Sequence, residues 1–222
     1  MKRVIISLGG SIIVPDDVDY KFLKKFKETI GHFKNCKIVV CTGGGNTARD
    51  YISILREKGL SVKNQDLIGI AVTRLNAKLL SLFLGNANKE IPTTLKDVGR
   101  LLKKYDLVVC GGLGPGQTSD GTTAMIAKYL DADVMINITN VDGLFDKNPI
   151  KYKDAKFIPE ISHQDFFKIV SKISRKPGQH FVLDSLAAKI CKDSGIKIVI
   201  LRGMYNLRGF LEGKKFKGTI IK

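Results

Sequence analysis

Short apolar runs alternate with amphipathic stretches along the chain. Residues 4–8, 38–42, 107–110, 134–138 and 197–201 are nearly continuous in Val, Ile, Leu and Cys. Runs of that length without polar alternation predict strands buried on both faces. Between them lie stretches of helical period. Over residues 20–31, Phe22, Leu23, Phe26 and Ile30 share one face, with Phe33 just beyond and lysines opposite. Asn46 or Thr47 caps a helix carrying Tyr51, Ile52 and Leu55. Residues 66–84 are apolar on most sides and predict a helix buried against a core or another subunit, with Asp66 as its cap. Further helices are expected from Thr93 or Thr94 to 104, over 122–130, from Ser162 onward and over 184–194. Residues 144–149 and the polar stretch 174–179, with Pro177-Gly178, read as loops. Residues 218–221 read as a last short strand at a sheet edge. The alternation predicts an α/β protein, a three-layer α/β/α sandwich with a mostly parallel central sheet.

Four of the apolar runs end in the same way. Residues 4–8 run into Gly9-Gly10-Ser11. Residues 38–42 run into Gly43-Gly44-Gly45, with Arg49 soon after. Cys110 is followed by Gly111-Gly112-Leu113-Gly114-Pro115-Gly116-Gln117-Thr118-Ser119-Asp120, and Ile138 by Thr139-Asn140-Val141-Asp142-Gly143. A strand, a glycine turn and a helix start together expose backbone N–H groups to an anion. In a parallel sheet the loops after strand ends gather along one edge, so the four are expected to meet at one cleft. Asp120 reads either as a helix cap or as a carboxylate that orients a lysine or holds Mg²⁺ beside phosphates. Arg49 offers a planar fork for phosphate oxygens.

Composition narrows the picture. Hydrophobic residues make up 44% of the 222, as in a globular chain. No apolar run approaches the ~20 residues of a membrane span, and the apolar stretch near the N-terminus is too short for a signal peptide, so a cytoplasmic protein without membrane contact is expected. The four cysteines lack metal-ligand spacing and read as buried free thiols, and no metal site is assigned to protein side chains. Net charge is +16, with 37 Lys and Arg against 21 Asp and Glu. Most of the surplus is lysine spread along helix faces, without interleaved aromatics, so nucleic acid is not the expected partner. The three histidines lie outside the glycine loops, and nothing resembles a nucleophile triad. Loops offering N–H groups, with little else, suit phosphoryl transfer to an already ionised acceptor.

Taken together, Ser7-Leu8-Gly9-Gly10-Ser11, Thr42-Gly43-Gly44-Gly45 with Ala48-Arg49, the 111–120 loop and Ile138-Thr139-Asn140-Val141-Asp142-Gly143 resemble the amino acid kinase superfamily. Within it, they are most similar to the archaeal-type uridylate kinases. Asp66-Leu67, Thr73-Arg74, Asn76-Ala77 and Leu183-Asp184 extend the likeness over nearly the whole chain. The resemblance implies a single domain over 1–222, with an acceptor lobe over about 1–130 and a nucleotide lobe over about 131–222. It implies transfer of the ATP γ-phosphoryl group to UMP with Mg²⁺, and a homo-oligomer, a hexamer built as a trimer of dimers. By that likeness Arg49 and Asp120 are catalytic. Gly9, Gly10, Gly45, Arg49, Thr139, Asn140, Phe145 and Asn148 hold ATP. Gly44, Asp66, Leu113, Gly114, Pro115, Gly116, Gln117, Thr118 and Ser119 hold UMP. The chain departs from the superfamily pattern at Ser7, where many members carry Lys although archaeal-type uridylate kinases often lack it, at Phe145 for Tyr, at Asn148 for Asp, at Leu113-Gly114, and over 176–180. Lys176 and Lys189 are candidates for the missing lysine. The residues leave open a sister kinase with another phosphate or carboxylate acceptor, or a non-catalytic nucleotide-binding protein.

Overall fold

The computed structural model describes residues 1–33, 35–149, 151–173 and 183–222, with residues 172 and 173 described by backbone alone. Expectations that fall on 174–182, the Pro177-Gly178 turn and Lys176 included, lie outside the described residues. In chain order the elements are β1 (Lys2–Leu8), α1 (Gly10–Ile13), α2 (Tyr20–Gly31), β2 (Cys36–Thr42), α3 (Gly45–Glu57), α4 (Val62–Leu84), α5 (Leu95–Lys104), β3 (Leu107–Cys110) and α6 (Ser119–Tyr129). They continue with β4 (Val134–Ile138), β5 (Leu144–Phe145), β6 (Phe157–Ile158), β7 (Glu160–Ile161), α7 (His163–Ile173), α8 (Ser185–Ser194), β8 (Lys197–Leu201), α9 (Gly203–Leu211) and β9 (Gly218–Ile221).

Seven strands form one sheet in the order β3-β2-β1-β4-β8-β9-β7, and β5 and β6 form a separate hairpin. From β3 to β8 every pairing is parallel; β9 runs antiparallel to β8. Successive side chains of a strand point to opposite faces, and both faces are covered here. Ile5, Val39, Val108 and Met135 pack under α5 to α8, while Val4, Ile6, Val40 and Val109 pack under α2, α4 and α9. Phe26 and Phe166, both fully buried, anchor the two layers. This double burial explains why the strands read as unbroken apolar runs.

Several boundaries differ from the sequence reading. α4 begins four residues before Asp66, because Ser61 accepts the Asn64 N–H and caps the helix. Asp66 therefore lies in the second turn and is not a cap. α3 begins at Gly45, ahead of Asn46 and Thr47, and no side chain caps it. The Asn46 amide is instead drawn to the Pro15 carbonyl at 2.5 Å. α6 starts at Ser119 and is capped by Thr118, which accepts the Gly121 N–H at 3.0 Å, so Asp120 is not the cap either. Residues 144 and 145 form half of the β5–β6 hairpin. β9 is not an edge strand, since β7 pairs along its outer side. α4 is long and apolar enough to cross a bilayer by length and composition. Here it packs against α3, β2 and β3.

Candidate active site

Strand register brings the loops together. Leu8 pairs with Thr42 on one side and Ile138 on the other; Cys41 pairs with Cys110, and Ile138 with Leu201. The parallel strands thus end level, and their following loops emerge along one edge. The chain leaves β1 toward β2 and β3, then returns to β4 on the other side of β1. That reversal is the topological switch point at which open α/β sheets bind ligands. A cleft of about 450 Å³ opens there, lined from separate loops by Gly9–Gly10, Gly43–Gly45, Gly112 and Ser119–Asp120.

The glycines of the first two loops pack backbone on backbone. A Cβ on Gly10 would stand 2.0 Å from the Gly45 nitrogen, and one on Gly43 would stand 2.6 Å from the Gly10 nitrogen. Gly45 also needs φ +66, open to glycine at no steric cost. These residues are glycines because two loops share one space, a reason independent of any ligand. The N-termini of α3 and α6 both border the cleft, where first-turn N–H groups lack helical acceptors.

α4 holds the loops from behind. The Asn76 amide donates to the Gly43 carbonyl at 2.9 Å, and the Thr42 hydroxyl donates to the Thr73 carbonyl at 2.8 Å. Thr73 Oγ1 accepts the Gly112 N–H at 2.8 Å, and Arg74 Nε donates to the Gly112 carbonyl at 3.0 Å. Asp66 accepts the Gly116 N–H at 2.7 Å and so ties the third loop to the same helix. On the far side the Thr118 hydroxyl donates to Asp184, whose other oxygen caps α8 at the Ala187 N–H, 2.7 Å away.

Charge in the cleft is sparse. Arg49, hydrogen-bonded to Asn46, is the one cationic side chain among the described lining residues. Asp120 accepts a 2.7 Å hydrogen bond from the Ser7 hydroxyl. Burial pushes its carboxyl up to about 7; the Ser7 hydrogen bond opposes that rise and the nearby Asp184 charge adds to it. Among the described residues no cation pairs with Asp120, and no cluster of three or more His, Cys, Asp or Glu forms a metal cage. Asp120 lines the cleft together with Asp66, and such a lining suits Mg²⁺, which takes one or two carboxylates alongside phosphate oxygens and water. Lys189, one candidate for the missing lysine, is exposed and paired with Asp193 at 3.1 Å.

A sequence model of the amino acid kinase family matches residues 2–202. The chain belongs to the amino acid kinase family. It is 39% identical over 222 residues to the uridylate kinase of Thermoplasma volcanium, spanning 100% of this chain and 98% of that one. The uridylate kinase of Archaeoglobus fulgidus is 39% identical over 220 residues, 99% of each chain. The crystal structure of the Archaeoglobus fulgidus uridylate kinase aligns over 100% of both chains with a TM-score of 0.90 at 38% identity. UMP kinase from Ureaplasma parvum, at 22% identity, shares the fold with a TM-score of 0.82 over 100% of this chain and 98% of that one.

In this amino acid kinase only some of the expected site residues meet in the cleft. Gly9, Gly10, Gly44, Gly45, Arg49, Asp66, Gln117, Ser119 and Asp120 line the cleft. Thr139, Asn140, Phe145 and Asn148 do not line it: Thr139 and Asn140 follow β4, where Thr139 N–H reaches the Leu201 carbonyl, Phe145 closes β5 and packs edge-on against Phe157, and Asn148 follows β5. Leu113 packs toward the core, and Gly114, Pro115 and Gly116 form the outer bend of the third loop. Sequence reasoning quoted Thr73, Arg74 and Asn76 but gave them no task. Their signal was polar side chains at helical spacing inside an otherwise apolar helix.

Proposed function

We infer that this protein is a uridylate kinase that transfers the γ-phosphoryl group of ATP to UMP, giving UDP and ADP, a step of pyrimidine nucleotide synthesis. The observation that carries the reading is the convergence of three glycine loops and two helix N-termini on one cleft, in a chain matched end to end by uridylate kinases. Such a reaction needs positioning and charge neutralisation more than acid–base groups. The acceptor phosphate of UMP is already ionised, which agrees with a cleft lacking histidine among its described lining residues.

In this reading the acceptor lobe over about 1–130 holds UMP through Gly44, Asp66 and the loop from Leu113 to Ser119. The Asp66 carboxylate, fixed by Gly116, serves the ribose hydroxyls. Gly9, Gly10, Gly45 and Arg49 hold the ATP phosphates. Thr139, Asn140, Phe145 and Asn148, in the nucleotide lobe over about 131–222, hold the adenosine. Arg49 and Asp120 act at the transferring phosphoryl group: Arg49 grips its oxygens, and Asp120 holds Mg²⁺, which supplies charge neutralisation when bound. Ser7 fixes the Asp120 rotamer where many relatives carry a lysine.

The protein is proposed to work in the cytoplasm as a hexamer assembled from dimers. Leu67, Leu75 and Leu82 form an exposed stripe at helical spacing on α4, with Tyr51 and Ile54 exposed on the neighbouring α3. An apolar stripe of this kind suits a second copy of the chain. The test of function is ADP release with ATP, Mg²⁺ and a panel of nucleoside monophosphates. UMP-selective turnover is expected. Turnover only with a non-nucleotide acceptor, or nucleotide binding without turnover, would overturn the assignment.

A further inference from the structure

We propose that Lys217, immediately before β9, which runs antiparallel to its neighbour β8, is a positioning residue that latches the nucleotide loop through Asp142. The inference rests on the reading that residues 139–145 face the nucleotide. Because β9 is antiparallel to β8, with Leu201 opposite Gly218, its beginning arrives at the same edge where β4 and β8 end. The C-terminal segment therefore meets the loop that follows β4.

Three contacts join them. The Lys217 ammonium lies 2.6 Å from an Asp142 carboxylate oxygen. Thr219, fully buried, accepts the Leu144 N–H at 2.7 Å and donates to the Ile158 carbonyl at 2.6 Å, locking the β5–β6 hairpin against β9. Gly143, at φ +150, packs so closely that a Cβ would stand 2.6 Å from Thr219 Oγ1. Thr219 thus fixes the far end of the loop, and Lys217 fixes the side chain two residues before that anchor.

Lys217 is itself held. Its backbone N–H donates to Asn206 Oδ1 at 2.8 Å, and the Asn206 amide donates to the Arg202 carbonyl at 2.8 Å. The stem starts from a fixed point, so less side-chain freedom is lost in forming the ion pair. Both partners remain partly open to water, so the pair contributes little to global stability. Its effect belongs to the geometry of the 139–143 loop.

The experiment is titration calorimetry of ADP and, separately, UMP with the wild type, Lys217→Met, Asp142→Asn, the double variant and Lys217→Arg. ADP affinity should fall about fivefold in each neutral single variant, the upper end for one exposed pair. The double variant should be no weaker than the singles, because both remove one shared contact. Lys217→Arg should stay close to wild type, and UMP affinity should not move in any variant. Unchanged ADP affinity in Lys217→Met, additive losses in the double variant, or parallel losses for ADP and UMP would overturn the latch. A wild type that failed to bind ADP would instead overturn the nucleotide reading on which it rests.

Discussion

Asp120 faces a neutral hydroxyl where an ion partner would be expected, and this gives its titration a direct effect on stability. Its folded value of about 7 stands above the ordinary 3.8. Below the ordinary value both folded and unfolded chains carry the proton, and the group costs nothing. Between about pH 4 and pH 7 the unfolded chain releases the proton while the folded chain keeps it, so rising pH favours unfolding through this group; above about 7 the penalty is constant. Asp120→Asn removes the titration and can still accept from Ser7. Urea midpoints without ligand should show the variant gaining on the wild type as pH rises through that window, then holding a constant lead. A gap that did not change with pH would contradict the assignment. Mg²⁺ with nucleotide should shrink the wild-type penalty by favouring the ionised form.

At the scale of elements, the site depends on two glycine loops occupying one space. Gly10→Ala forces backbone apart, because the nearest atom is the Gly45 nitrogen at 2.0 Å. Overpacking of that kind costs about 1–3 kcal/mol or more. It should lower the melting temperature and cut kcat/KM for both substrates at least ~10-fold, since about 1.4 kcal/mol of lost transition-state binding is tenfold. Gly31→Ala is the control: nothing lies within 4 Å of its Cβ, and alanine suits the end of α2. Equal effects of the two substitutions would refute the shared-space account. The sequence disclosed the five parallel core strands and the loops after four of them, since double burial leaves unbroken apolar runs and glycine or polar turns mark those exits. It hid what depends on tertiary register. α9 and the two-residue strand β7 are too short or too mixed to show a period. The start of α4 was masked by a polar first turn, and the tasks of Thr73, Arg74 and Asn76 follow only from what α4 lies against. Gly143 and Thr219 meet across 76 positions of chain, which no local pattern records.

For the whole molecule, the formal charge of +16 suits anionic substrates but does not locate them, because several lysines are spent in surface pairs such as Lys37–Asp106 and Lys147–Asp154. Location comes from strand ends that finish level. The exposed face of α4 and α3 carries a separate expectation. Leu75, 66% exposed, should sit inside a subunit contact in solution. Leu75→Glu should convert the assembly to smaller species in sedimentation velocity while leaving the monomer folded. A wild type that sedimented as a monomer would remove the proposed interface.

Amide hydrogen exchange with UMP and a non-hydrolysable ATP analogue tests the gathering of the ligand loops along one sheet edge most directly. The account predicts slowed exchange at residues 9–11, 43–49, 111–120 and 139–145 together, with UMP alone protecting the 111–120 loop and the analogue alone protecting 139–145. Protection confined to the opposite end of the sheet, around Arg3, Lys37 and Lys103, would contradict it.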